Sequence, residues 1–307
     1  MREQARGLAR SVQARLVNHA KSLGIDPNAM LARYATERLL YRLSRSRHAD
    51  RFVLKGGLML VAWLGEFTRP TRDADLLGFG ELSRTSLETT FREICQTDVD
   101  ADGIAFDMAT LSIAPIRHDD AYGGWRILVF AHLGAARLRV QVDVGIGDVV
   151  QPPPTLLDYP SLLDAPRPRL RAYLPETAIA EKLHAMIELG EANSRMRDFY
   201  DVRVLAERRS FDGVTLASAI SSTFERRSLV LGGAEPVALT PAFAKVPGKR
   251  EQWIGFLRKS RLSTDIEFER VVAEVARFLG PPVAALGRGN AFDDHWSPGG
   301  PWQRADP

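Results

Sequence analysis

Apolar residues at Leu8, Val12, Leu16 and Ala20 recur every four positions, which predicts an N-terminal helix stopped by Gly24. A second helix is expected after Asp26-Pro27, with Asp26 as its cap and Pro27 in its first turn. It carries Met30, Tyr34, Leu39 and Leu40 and runs into the basic stretch Arg42 to Arg51. From about residue 50 the texture changes to short apolar runs separated by turn residues. Phe52 to Lys55 reads as a strand, Gly56-Gly57 as a tight turn, and Leu58 to Leu64 as the start of a buried helix. Asp73 to Leu77 is the next strand, followed by an amphipathic helix near Ser83 to Cys95. Three β segments follow at 104–116, 125–132 and 137–144. The last alternates strictly: Leu138, Val140, Val142 and Val144 share one face, while Arg139, Gln141 and Asp143 share the other.

Gln151-Pro152-Pro153-Pro154 and the later Pro160, Pro166 and Pro168 read as a linker. Beyond it, helical periodicity returns at 175–190, 196–208, 216–226, 241–257 and 263–279. Residues from Gly280 on show no period and are expected to be a poorly ordered tail. The resulting division is 1–165, 166–280 and a tail at 281–307. No internal repeat interrupts this order.

Composition narrows the classes. The chain has 307 residues, 45% hydrophobic and 26% charged, which is ordinary globular material. Its 41 basic residues exceed the 38 acidic ones only slightly, leaving nucleic acid open as a partner without arguing for it. Arginine supplies nearly all of that basic count, since the chain holds six lysines; a GC-rich genome accounts for this equally well. Cys95 is the single cysteine, so an intrachain disulfide and a cysteine-based zinc site are both excluded, as suits a reducing compartment. The N-terminus lacks the apolar core of a signal peptide, and no apolar run approaches the ~20 residues of a membrane helix. A soluble cytoplasmic protein is the expectation.

The candidate chemistry lies between Lys55 and Asp75. Residues two apart on a strand share a face, so Asp73 and Asp75 point the same way and repel unless a cation lies between them. Mg²⁺ fits, because it takes oxygen ligands and keeps positions open for substrate phosphate. Asp143, on the polar face of its alternating strand, is a candidate third carboxylate for a metal-assisted phosphoryl or nucleotidyl transfer. Gly56 and Gly57, lacking Cβ atoms, let backbone N–H groups approach a phosphate. Alone, a D-x-D or a glycine pair is a weak signal. Their order, with Arg69-x-Thr71-x-Asp73-x-Asp75 following on a strand, is far more specific. There is no P-loop, Rossmann fingerprint or G-x-S-x-G elbow.

Lys55-Gly56-Gly57 with Arg69-x-Thr71-x-Asp73-x-Asp75-Leu76 resembles the signature of the AbiEii nucleotidyltransferase-like toxins. Glu181-Lys182-Leu183-His184-Ala185 and Arg197-Asp198-Phe199-Tyr200-Asp201 are similar to that family's downstream motifs, and the Asp143 strand with Gly147-Asp148 fits its third-carboxylate position. The matches span residues 51–205. One position departs: Leu58 stands where many members have Ser or Thr after the glycine pair.

The resemblance implies an α+β fold: a mixed nucleotidyltransferase β-sheet core with flanking helices, an N-terminal helical segment and a C-terminal helical domain. It also implies transfer of a nucleoside monophosphate from an NTP to an acceptor, with the tRNA 3′ end as that acceptor and an antitoxin as partner. Asp73, Asp75 and Asp143 would hold Mg²⁺, with Asp143 as base or third ligand. Lys55, Gly56, Gly57, Arg69, Thr71, Lys182, Arg197 and Asp201 would seat the nucleotide, and Lys182 and Asp198 would join the catalytic set.

Periodicity leaves the downstream residues open. Lys182, at the edge of an apolar stripe, either snorkels to solvent or meets an anion across an interdomain cleft. Asp198 and Asp201 form an i, i+3 acidic pair, with Arg197 four residues before Asp201, which suits a structural ion pair as well as a nucleotide site. Two other readings stand beside the leading one: a catalytically silent nucleotide- or RNA-binding regulatory module, and nucleotidylation of a protein hydroxyl. Retention of all three acids argues against the first.

Overall fold

The computed structural model describes residues 2–65, 68–71, 73–116, 123–147, 150–262 and 265–304, with side chains from Arg6 onward. Asp148, expected just beyond the third-carboxylate strand, therefore lies outside the described residues. The chain forms two compact units, Met1–Asp148 with Pro154–Tyr173, and Val149–Pro153 with Leu174–Pro307.

The first unit is α+β. Helices α1 (Arg2–Ser22) and α2 (Pro27–Arg45) begin it, and the Asp26 carboxylate caps α2 by accepting the Asn28 N–H at 2.9 Å. Strand β1 (Phe52–Lys55) enters a 3-10 turn at Gly56–Leu58 and then the short α3 (Met59–Leu64). Next come β2 (Asp73–Gly78), α4 (Arg84–Cys95), β3 (Ile104–Pro115), β4 (Gly124–Leu133) and β5 (Ala136–Ile146). The seven-stranded sheet has the order β3-β4-β5-β2-β1-β7-β6. Its β2–β5 and β1–β7 pairs are parallel and the others antiparallel.

Alternation decides which face is covered. Leu138, Val140, Val142 and Val144 are buried in one core with Leu39 and Leu40 of α2, Leu16 of α1 and Phe91 of α4. Arg139 is exposed on the other face, where Gln141 and Asp143 are half-buried. The helices thus shield the apolar face, and the carboxylates occupy its reverse.

Strands β6 (Thr155–Asp158) and β7 (Arg169–Ala172) run through what the prolines suggested was a linker. A polar lock on α2 fixes this segment. The Glu37 carboxylate accepts from Ser161 Oγ and the Leu162 N–H, both at 2.8 Å, while Arg38 donates to the Pro166 carbonyl at 2.9 Å. The boundary expected at 165/166 consequently falls at Tyr173/Leu174, because β7 pairs with β1 inside the sheet.

The second unit is mainly helical: α5 (Pro175–Leu189), α6 (Met196–Arg208), α7 (Gly213–Arg226), α8 (Pro241–Ala244), α9 (Lys249–Ser260) and α10 (Phe268–Gly287). The single helix expected over 241–257 is broken, since Gly248 adopts φ +88°, outside helical space for other residues.

Residues 281–304 of the tail expected to be poorly ordered carry regular structure: α10 continues through Pro281-Pro282. Pro282 has no N–H for the Phe278 carbonyl four residues earlier, and the Trp302 indole N–H occupies that acceptor at 2.7 Å. Short strands β9 (His295–Trp296) and β10 (Trp302–Gln303) pair with each other, and β9 with β8 (Phe211–Asp212). Trp296 is buried and donates to the Ala206 carbonyl at 2.7 Å. No helix among the described residues is long and apolar enough to cross a membrane.

Candidate active site

The glycine pair sits against the side chains that sequence reasoning grouped with it. Gly56 has φ +72°, and a Cβ there would land on the Asp75 carboxylate. A Cβ on Gly57 would come within 2.8 Å of an Arg69 guanidinium nitrogen and 2.9 Å of Thr71 Oγ1. Arg69 itself donates to Thr71 Oγ1 at 3.2 Å. Glycine at both positions is what lets the backbone of this turn lie directly beside Asp75, Arg69 and Thr71. Leu58, where a hydroxyl residue is common in the resembled family, is buried in the core instead. Its side chain therefore packs and offers no phosphate contact.

Strand register extends this cluster across the sheet. Lys55 lies opposite Asp75, Asp75 opposite Asp143, and Asp143 opposite Arg126. Directly opposed residues share a face with Cβ atoms ~5 Å apart. Four adjacent strands thus carry a row of charges reading plus, minus, minus, plus. Asp73 lies one step along β2 on the same face, opposite Gln141. The Lys55 ammonium is 3.4 Å from the Tyr173 hydroxyl and stands 4.9 Å from the centre of that ring.

Asp143 is held on three sides. Arg126 Nε donates to Oδ1 at 2.9 Å and a terminal nitrogen donates to Oδ2 at 2.7 Å, a forked geometry. Gln141 adds a third bond to Oδ1 at 3.2 Å. The Arg126 guanidinium is held further toward its charged form, first by the Asp143 hydrogen bond and also by the charges of Asp73 and Asp75.

The donor chemistry of Asp73 and Asp75 suits a hard cation such as Mg²⁺. Asp143, the third expected carboxylate, lies opposite Asp75 in the strand register, but its side chain is engaged elsewhere. Among the described residues no group of three or more His, Cys, Asp or Glu side chains could hold a metal ion, and both Asp143 oxygens are engaged by Arg126.

The downstream candidates meet one another in the helical unit. Lys182 of α5 donates to Asp198 Oδ1 and Asp201 Oδ2 of α6, both at 2.8 Å. The two carboxylate side chains are 1% and 0% exposed, and that of Lys182 is 17% exposed. Arg195 Nε, not Arg197, donates to Asp198 at 2.6 Å, while Arg197 is exposed on the surface. The lysine expected to choose between solvent and a distant anion is thus committed to two buried carboxylates of its own unit. His184 is buried, with its Nδ1 3.2 Å from the Arg227 guanidinium.

The family described as "Nucleotidyl transferase AbiEii toxin, Type IV TA system" matches residues 38–274, well over half of the chain. This chain belongs to that family. The match extends the motif resemblance at both ends, reaching back into α2 and forward into α10. AbiEii membership makes the protein a toxin nucleotidyltransferase of the type IV toxin–antitoxin class, and it implies an NTP substrate and an antitoxin partner. The silent binding module weighed from sequence gives way to an enzyme.

Among solved structures, the chain is similar to MenT4, a nucleotidyltransferase toxin from Mycobacterium tuberculosis, at 21% identity and a TM-score of 0.48. That match covers 90% of this chain and 98% of the other. It is also similar to JHP933 from Helicobacter pylori at 13% identity and a TM-score of 0.49, covering 85% and 94% of the two chains. No curated protein matches the chain.

Proposed function

We propose that this AbiEii-family enzyme moves a nucleoside monophosphate from an NTP onto the 3′-terminal hydroxyl of a tRNA in the cytoplasm, with Asp73 and Asp75 holding Mg²⁺. The observation that carries the reading is the packing of Gly56-Gly57 against Asp75, Arg69 and Thr71, beside the charged row on the open face of the sheet. When bound, the ion would offset the triphosphate's charge and lower the pKa of the attacking hydroxyl.

The chain's own residues do the rest. Backbone N–H groups of the glycine turn receive phosphate oxygens, and the Arg69 guanidinium adds a fixed positive charge that Thr71 orients. Lys55, beside Asp75, supplies a second positive charge on this face. Asp143, once released from Arg126, accepts the proton of the acceptor hydroxyl. The oxygen then bonds to the α-phosphorus, the bond to the β-phosphate's bridging oxygen breaks, and pyrophosphate leaves. Lys182, Asp198 and Asp201 act at one remove: their buried charge network fixes α5 against α6.

The slight basic excess is compatible with an RNA acceptor. The test is incubation with each NTP labelled in its α-phosphate, with and without Mg²⁺, offering mixed tRNA and separately the proteins of a cell extract. Metal-dependent label in tRNA, removable by a 3′ exonuclease, supports the reading. Label confined to protein would replace the tRNA acceptor with a protein hydroxyl.

A further inference from the structure

The chain contains two kinds of charge pair. Arg42 with Asp102 and Lys182 with Asp198 and Asp201 are shielded, with the Arg42 and Asp102 side chains 8% and 6% exposed. Such pairs are expensive to part, because each leaves a buried charge behind. Arg126 with Asp143 differs, since their side chains are 44% and 16% exposed. The exposure lies on the arginine's side: when the pair parts, the guanidinium is taken up by water, while Asp143 stays largely shielded and open to a cation or a proton.

Its location gives the difference a use. Asp143 is the carboxylate directly beside Asp75, and two like charges in that position repel. Arg126 relieves the repulsion while the face holds no cation. A forked guanidinium also occupies both oxygens through which Asp143 would bind a metal or accept a proton.

We infer that Arg126 is a positioning residue that holds Asp143 in reserve, and that the pair must part before Asp143 joins Asp73 and Asp75. Arg126 acts through Asp143 and competes with the cation for it. The inference rests on the reading of Asp73, Asp75 and Asp143 as the acidic centre.

The test uses Mn²⁺ as a spin probe on the full chain without nucleotide, comparing wild type with Arg126→Ala, Arg126→Lys, Asp73→Ala and Asp75→Ala. Arg126→Ala binds Mn²⁺ about fivefold more tightly or better, since the competing pair is gone. Arg126→Lys keeps a charge but cannot fork two oxygens, and falls between. The Mg²⁺ concentration for half-maximal transfer falls in the same order. Unchanged or weaker Mn²⁺ binding in Arg126→Ala overturns the inference. Should that variant not fold, Arg126→Lys decides by the same criterion. Asp73→Ala and Asp75→Ala separate the two levels. If they bind Mn²⁺ as well as wild type, the acidic centre itself is wrong; if they lose binding while the Arg126 variants match wild type, only the reserve role fails.

Discussion

Replacing Lys182 tests whether a motif lysine acts by chemistry or by architecture. Asp198 and Asp201 are 1% and 0% exposed and each accepts from Lys182 at 2.8 Å. Removing the ammonium takes a donor from each of two carboxylates that are almost wholly shielded from water, while Arg195 keeps its 2.6 Å contact with Asp198. Breaking a buried pair by deleting one partner costs ~3–5 kcal/mol. The surviving Arg195 contact puts Lys182→Met near the lower end, about 3 kcal/mol, or ~150-fold in the opening equilibrium. Hydrogen exchange read peptide by peptide scores α5 and α6 separately from the sheet. Amides of α5 and α6 exchange ~100-fold faster in the variant, while those of β1, β2 and β5 keep wild-type protection. Adding Asp198→Asn and Asp201→Asn to the variant removes the excess buried negative charge and recovers much of the protection. If Lys182→Met leaves α5 and α6 protected yet abolishes transfer, the lysine acts on substrate and the architectural account is refuted. Loss of activity alone does not establish a catalytic lysine at this position.

Two further outcomes follow from the sheet unit. Gly56→Ala must seat a Cβ at φ +72° against the Asp75 carboxylate, so transfer falls at least ~100-fold with the chain still folded by circular dichroism; wild-type activity would contradict the packing drawn around that turn. Burial pushes the Cys95 thiol up to about 12, so at pH 8 the folded chain reacts with a thiol reagent about three orders of magnitude more slowly than the unfolded chain. The sign also bears on stability. The unfolded thiol loses its proton first, so stability declines as pH rises from about 8.5 towards 12. Rapid labelling under native conditions would contradict the buried placement of α4.

What was legible in the sequence tracks how local the cause is. The helices at 2–22, 27–45 and 196–208 and the strand at 136–146 follow from periodicity and caps within one element. β6 and β7 hide among prolines because partners elsewhere fix them: β1 by the ladder, and Glu37 and Arg38 by side-chain bonds. α10 passes Pro282 because Trp302, twenty residues on, satisfies the Phe278 carbonyl that this proline orphans. No local rule reports such a remote partner.

The site divides in the same way. Gly56, Gly57, Arg69, Thr71, Asp73 and Asp75 fall within one short stretch whose spacing was readable, and the structure brings Asp75, Arg69 and Thr71 to the glycine turn. Asp143 was readable as a polar residue on an alternating strand. Arg126 was not, because its meeting with Asp143 depends on the β4–β5 register. The one available signal was that Arg126 stands opposite the buried face of β4, two residues from the strand's start.

The central claim is that Asp73 and Asp75 form the metal-holding pair of a nucleotidyl transfer. It is tested most directly by following label from an α-labelled NTP into tRNA with wild type, Asp73→Ala and Asp75→Ala, all confirmed folded. The account predicts Mg²⁺-dependent labelling by wild type and a loss of at least ~1,000-fold in each variant, as removal of a metal-holding carboxylate entails. Labelling by either variant at the wild-type rate would contradict it.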